Sequence, residues 1–230
     1  MTEVTEDSRL SVVKRCAPIL LVVAIAVGLA YGIGTLWPPS GENPDPNHAH
    51  ADFAVWVNGQ RLDFSDPQYM SGSSHQEEEE AHPHEHLHEY LHLHDGNGHV
   101  IHRHKPDLTL GNFFTSIGVE MIAGCLSLDA HQFAALDHGW IADFGRTQKL
   151  CTDAKFHWMF VVNGQKSPMD PNFVFADGDK ILLTYTAGDA WQEEWKQMTS
   201  DACLYSNTCP WRGKPPAENC IADPEVPRRE

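Results

Sequence analysis

Positive charge is scarce in this chain: 16 Lys and Arg stand against 32 Asp and Glu, for a formal net charge of −16 with histidine neutral. Such a surface lacks the cations that neutralise phosphates, which excludes nucleic acid as the partner and suits metal cations instead. Cysteine is sparse too. There are six, and none forms a CxxC pair, so a thioredoxin-like redox motif is absent. The six methionines are scattered, which argues against a copper(I) thioether site. No nucleophile motif is recognisable. Between Cys16 and Ser40 there is no charge at all.

That uncharged run sets an expectation about location. Ala17 to Trp37 is almost wholly apolar, and twenty-one helical residues span about 30 Å, the thickness of a bilayer core. Arg9, Lys14 and Arg15 precede it, and an acidic, proline-rich flank follows. The positive-inside rule then gives a single-pass protein with residues 1–16 as a cytoplasmic tail, 17–37 as a transmembrane helix and the rest extracellular or periplasmic. A cleaved signal peptide, with Gly28 and Ala30 as the cleavage pair, is the rival reading and exports the same domain. Ala24, Gly28 and Gly32 form a small-residue stripe through which two anchors could pair as a homodimer.

Five cysteines follow the apolar run. In an oxidising compartment Cys125 and Cys151 are the expected bridge, and two of Cys203, Cys209 and Cys220 pair in the tail. Cysteine ligation of zinc is the alternative, but the spacing matches no zinc ribbon.

After a linker at 38–47, the chain predicts one α+β domain over 48–187, a small mixed sheet packed on one helix. Asn58-Gly59 and Asn163-Gly164 are hairpin turn signals, and "LHLHDGNGHVIHRH" is a further hairpin. "KFHWMFVVNGQK" and "NFVFADGDKILLTYT" read as strands. Leu110, Phe113, Phe114 and Ile117 stand at helical spacing behind Thr109, a candidate N-cap. Residues 71–89 are low-complexity and read as a mobile His/Glu loop. Residues 188–230 begin as a one-sided helix presenting Trp191, Trp195 and Met198, then form a cysteine-containing strap. The strap packs those tryptophans, and Trp211 with them, onto the domain, or else it docks another membrane protein such as a transporter.

What the chain has in excess is histidine. Nine of its fifteen histidines lie between His82 and His104. Strand side chains alternate faces, so His at i and i+2 point the same way and can grip one ion. Three such pairs occur: His48/His50, His92/His94 and His102/His104. If "GNG" is the loop of the second hairpin, His92 lies opposite His102, and His94 and His104 share their face. Leu93 and Ile101 then turn to the core, whereas a slip of one residue would split the set. His48/His50 complete the site or form another. His75, His82, His84, His86 and His88, mixed with Glu77 to Glu80, suit loose metal collection of the kind seen in exported zinc-binding proteins. A solvated polar loop is the bland reading of the same residues. All-imidazole donors suit zinc first, then copper, with nickel and cobalt as alternatives.

The run from "GHVIHRH" through "TLGNFFTSIGV" to "FHWMFVVNGQ" and "FVFADGDKILLTYT" resembles transcobalamin-like β-grasp domains, with Trp158, Asn163, Gly164, Asp177, Gly178 and Asp179 at matching places. The exported region also resembles uncharacterised membrane-anchored archaeal and bacterial proteins that open with "HxHxxF" and contain "IHxH". The first resemblance covers about a third of the chain and implies a β-grasp-like fold, but no ligand.

Three functions are compatible with this reading. The first is a membrane-anchored, extracytoplasmic metal-binding protein that buffers, senses or delivers its ion, with no catalytic residue assigned. The second is a zinc-dependent hydrolase or lyase, with Asp52, Asp95 or Glu89 as the nearby acid. The third is a pH-responsive surface module, since protonating every histidine moves the formal charge from −16 to −1.

Overall fold

The computed structural model describes residues 22–23, 41, 43, 45, 47–71, 90–136, 148–189 and 191–214. Ser40 and Gly41 mark a division into two units, and everything below concerns the second. The expected membrane span lies outside the described residues apart from Val22 and Val23, which are helical. Among the described residues no helix is long and apolar enough to cross a membrane.

The larger sheet has seven strands. β1 (Ala49–Val57), β2 (Gln60–Arg61), β3 (Leu91–His92), β4 (Val100–Arg103), β8 (His157–Val162), β9 (Gln165–Ser167) and β10 (Asp179–Thr186) run in the order β3-β4-β1-β10-β8-β9, with β2 also on β1. β1 and β10 are parallel and the other pairs antiparallel, so the sheet is mixed as expected. Asn58-Gly59 and Asn163-Gly164 all have positive φ, between 50° and 81°. That is the geometry of a two-residue hairpin whose twist matches its strands. Gly98, in the β3–β4 loop, is required for a different reason: a Cβ there would lie 2.3 Å from the Phe64 carbonyl carbon.

One face of this sheet carries the main core. Phe53, Val55, Leu91, Leu93, Ile101, Phe160, Ile181 and Leu183 pack against α1 (Leu110–Ser116) through Leu110, Phe113 and Phe114. Thr109 caps that helix, its hydroxyl accepting from the Asn112 amide while Asn112 accepts from the Thr109 amide. This reciprocal pair satisfies backbone donors that a helix start otherwise leaves open.

Three features differ from the expectation. Beyond α1 a second sheet forms from β5 (Glu120–Ile122), β6 (Cys125–Ser127) and β7 (Lys149–Cys151), in that order. It places Cys125 directly opposite Cys151, where they form the expected disulfide. α2 (Ala130–Ala135) lies between β6 and β7 in the chain, capped by the Asp129 carboxylate. Second, Phe173 to Ala176 is not a strand, and β10 starts only at Asp179. Its neighbouring carbonyls serve α1 instead, Phe173 O accepting from Leu110 N at 2.8 Å and Pro171 O from Gly111 N at 2.8 Å. Third, every residue of β1 is buried, so the sheet is covered on both faces.

The second face is covered in two parts by the C-terminal segment. Trp191 and Trp195 of α3 (Trp191–Lys196), with Met198, pack on Ala54, Trp56, Val161 and Leu182. Next comes α4 (Ala202–Tyr205), tied by a Cys203–Cys209 disulfide. Trp211 is 55% exposed and does not join the packing. Asp52, on the second face of β1, accepts hydrogen bonds from Thr199 Oγ1 (2.8 Å), Asp201 N (2.7 Å) and Ala202 N (3.1 Å). The strap is thereby pinned over the part of the sheet that bears the histidines.

Candidate metal centre

The β3–β4 register places His92 opposite His102, as the "GNG" loop requires. β1 adds what the hairpin alone does not supply, because His50 lies opposite His102 on the other side. Three adjacent strands therefore carry their HxH pairs on one face, with His102 central. Ring centroids link the six into a closed circuit. His48–His50 are 4.3 Å apart, His50–His102 4.8 Å, His102–His94 4.0 Å, His94–His92 5.8 Å, His92–His104 4.9 Å and His104–His48 4.0 Å.

His48, His50 and His102 each offer a ring nitrogen, all within 4.8 Å of one another. His50, His92, His94, His102 and His104 are buried, and His48 is half-buried at the rim.

Hydrogen bonds fix which nitrogen two of the rings present. The Ser206 hydroxyl donates to Asp177, so it can only accept from His50 Nδ1, 2.8 Å away. Nδ1 of His50 therefore carries the proton, and Nε2 turns its lone pair inward, 3.1 Å from Nε2 of His48. Likewise His94 Nδ1 donates to the Asp95 carboxylate at 2.8 Å, which leaves Nε2 as an acceptor 3.2 Å from Nδ1 of His102. A carboxylate or hydroxyl behind the far nitrogen is the usual way a metal-binding imidazole is oriented. Burial raises the Asp177 carboxyl, but hydrogen bonds from His50 and Ser206 outweigh it and hold it below the usual carboxylate range.

Burial, reinforced by the neighbouring imidazoles, pushes His104 down to about 2 and His102 well below its ordinary value. Neutral imidazole is the form that ligates. These two rings thus take no part in the charge swing that the composition suggests for mild acid. Neither ring nitrogen of His104 has a hydrogen-bond partner among the described residues. Buried polar atoms normally find partners, and a metal ion in this ring of donors fits that need. A zinc ion takes three or four such nitrogens at about 2.0–2.1 Å, so the residues suit the ion.

The strap roofs the cluster. The Tyr205 ring lies 4.7 Å from His102, 5.6 Å from His50 and 6.0 Å from His94, its hydroxyl accepting from Asn97 Nδ2 at 2.8 Å. Nothing in the sequence pointed to Tyr205 or Ser206; Asp177 stood out there only through the D-G-D turn. His75, His82, His84, His86, His88 and Glu89 lie outside the described residues, as does Cys220. Of the acids considered for catalysis, Asp52 is engaged by the strap and Asp95 by His94.

Comparison of the chain with protein-family models, with curated proteins and with solved structures gives no match in any of the three, so the functional reading rests on this geometry.

Proposed function

We propose that this chain is a membrane-anchored, extracytoplasmic protein that binds a transition metal, zinc in first place and copper in second, to buffer, sense or deliver it. One observation carries the reading: His48, His50 and His102 bring three ring nitrogens within 4.8 Å of one another on one covered sheet face. His50 is already held in the ligating tautomer by Ser206. Three imidazoles on a rigid sheet meet the requirement for a defined site rather than loose adsorption. Export is supported by the uncharged run 16–40 and by two disulfides within the folded domain.

Calorimetric titration of the full chain with zinc and with copper(II) tests this, beside a chain in which His75, His82, His84, His86 and His88 are alanine. The cluster predicts a tight site that survives the loop substitutions and is lost in His50→Ala. Weak multiple binding that disappears with the loop histidines would refute it.

A further inference from the structure

Six imidazoles are more than one ion can use, because zinc and its neighbours accept three or four such ligands in a compact site. The surplus is not scattered. His92, His94 and His102 form a second triangle, with centroid separations of 5.8, 5.9 and 4.0 Å. His48, His50 and His102 are separated by 4.3, 4.8 and 6.1 Å. Both sets average about 5 Å, the spacing of rings around one tetrahedral ion with bonds of about 2.05 Å. His102 is the shared corner, on the central strand of the three.

Each triangle also has its own oriented ligand. His50 is set by Ser206 and Asp177, and His94 by Asp95, at opposite sides of His102. The His94 Nε2 to His102 Nδ1 distance of 3.2 Å and the His48 to His50 distance of 3.1 Å are both close to the roughly 3.3 Å between two nitrogens on one tetrahedral ion. An imidazole has two nitrogens, and Nδ1 of His102 already faces the second triangle.

We propose that the cluster holds two transition-metal ions side by side, the second on His92, His94 and Nδ1 of His102, with the His102 ring bridging them. Taking the second ion releases the remaining His102 ring proton to solvent, so that each nitrogen gives its lone pair to one metal. His104, whose ring lies 4.0 Å from His48 and 4.9 Å from His92, stands where it can complete either shell. The inference rests on the metal-binding reading above and adds its stoichiometry and its bridging residue.

Copper(II) is the probe, because two ions joined through one imidazole are magnetically coupled. The full chain with its five loop histidines replaced by alanine is titrated and followed by electron paramagnetic resonance and metal analysis. The expected result is an isolated signal at one equivalent, then attenuation of that signal with a half-field transition as the second enters. His94→Ala should stop uptake at one ion while leaving the first signal unchanged. Asp95→Asn should weaken the second ion about 10- to 100-fold, as loss of an orienting carboxylate does. Its φ of 57° is one that asparagine accepts, so folding is preserved. Uptake ending at one ion in the parent, or a second ion that adds full uncoupled intensity and ignores His94→Ala, would overturn the proposal and leave the single-site reading standing. Retention of no copper would remove both.

Discussion

Replacing Asp52 with alanine should open the strap without unfolding the sheet. The carboxylate is 3% exposed and accepts three hydrogen bonds, two from backbone amides at the start of α4. Bonds to a charged acceptor contribute roughly 1.5–3 kcal/mol each, and they are not additive when they share one group. A loss of about 3–4 kcal/mol is therefore reasonable. The main core lies on the opposite face and does not feel it directly. Anchors that remain are His99 on Asp201 at 3.1 Å, Asn97 on Tyr205, and Ser206 on Asp177 and His50. Hydrogen exchange resolved by peptide reads the outcome. Residues 199–209 should exchange on the order of 100 to 1000 times faster, since 1.4 kcal/mol is tenfold. Residues 181–185 of β10, which open only with the sheet, should accelerate by no more than that factor and stay more protected than the strap. Asp52→Asn, which keeps one acceptor and loses the charge, should fall between. Equal protection of strap and strand in the variant would show that the two unfold together, and unaltered strap protection would show that Asp52 does not hold it. Either result would refute this account of the roof.

Acid should weaken the metal-free protein through His104. Its folded value is pushed down to about 2 while the unfolded ring keeps 6.5, so the unfolded state binds the extra proton. The His104 share of stability is complete above about pH 6.5 and is lost as pH falls below it, by about 2 kcal/mol at pH 5; denaturant curves in chelator check this, with His104→Leu removing that share and leaving the one from His102. Glu194 shows the opposite sign. It is 5% exposed and burial raises its carboxyl, so stability falls as pH rises from about 4.5. Glu194→Gln should raise the melting temperature at pH 7 and have little effect at pH 4. Breaking Cys125–Cys151 by double serine substitution should cost about 3.5 kcal/mol by the entropy of a 26-residue loop, read from the urea midpoint; a loss under 1 kcal/mol would mean that the second sheet does not need the link.

What could be read from the sequence here was local. The HxH pairs needed only strand alternation, and the Asp-Gly-Asn-Gly segment fixed the register that sets His92 against His102. Thr109 announced α1, and the two Asn-Gly pairs their hairpins. The candidate site was half legible for the same reason: two of its three strands are joined by one short loop. Placing His50 against His102 depends on β1 pairing antiparallel with β4 while β10 lies parallel on its other side, long-range pairings that no local pattern encodes. Ser206 reaches His50 from 156 residues away. The strands of the second sheet have three residues each, too short to show periodicity. "NFVFA" has strand composition, yet its neighbouring carbonyls go to the start of α1.

The position of the roof in the chain also sets an order in time. Every histidine of the cluster lies before residue 105, whereas the segment that closes over it begins near Thr199. The sheet is complete only once β10 has joined β1, so in chain order the histidines and their sheet come first and the strap last. Ions met before that point find isolated HxH pairs, which bind unfolded chain as well as folded and give folding little advantage. Ions met afterwards find a finished ring under a latch. On the proposed reading, an ion reaching the finished domain meets the half-buried His48 at the rim first, with the other rings buried behind it and the Tyr205 ring of the strap over His102.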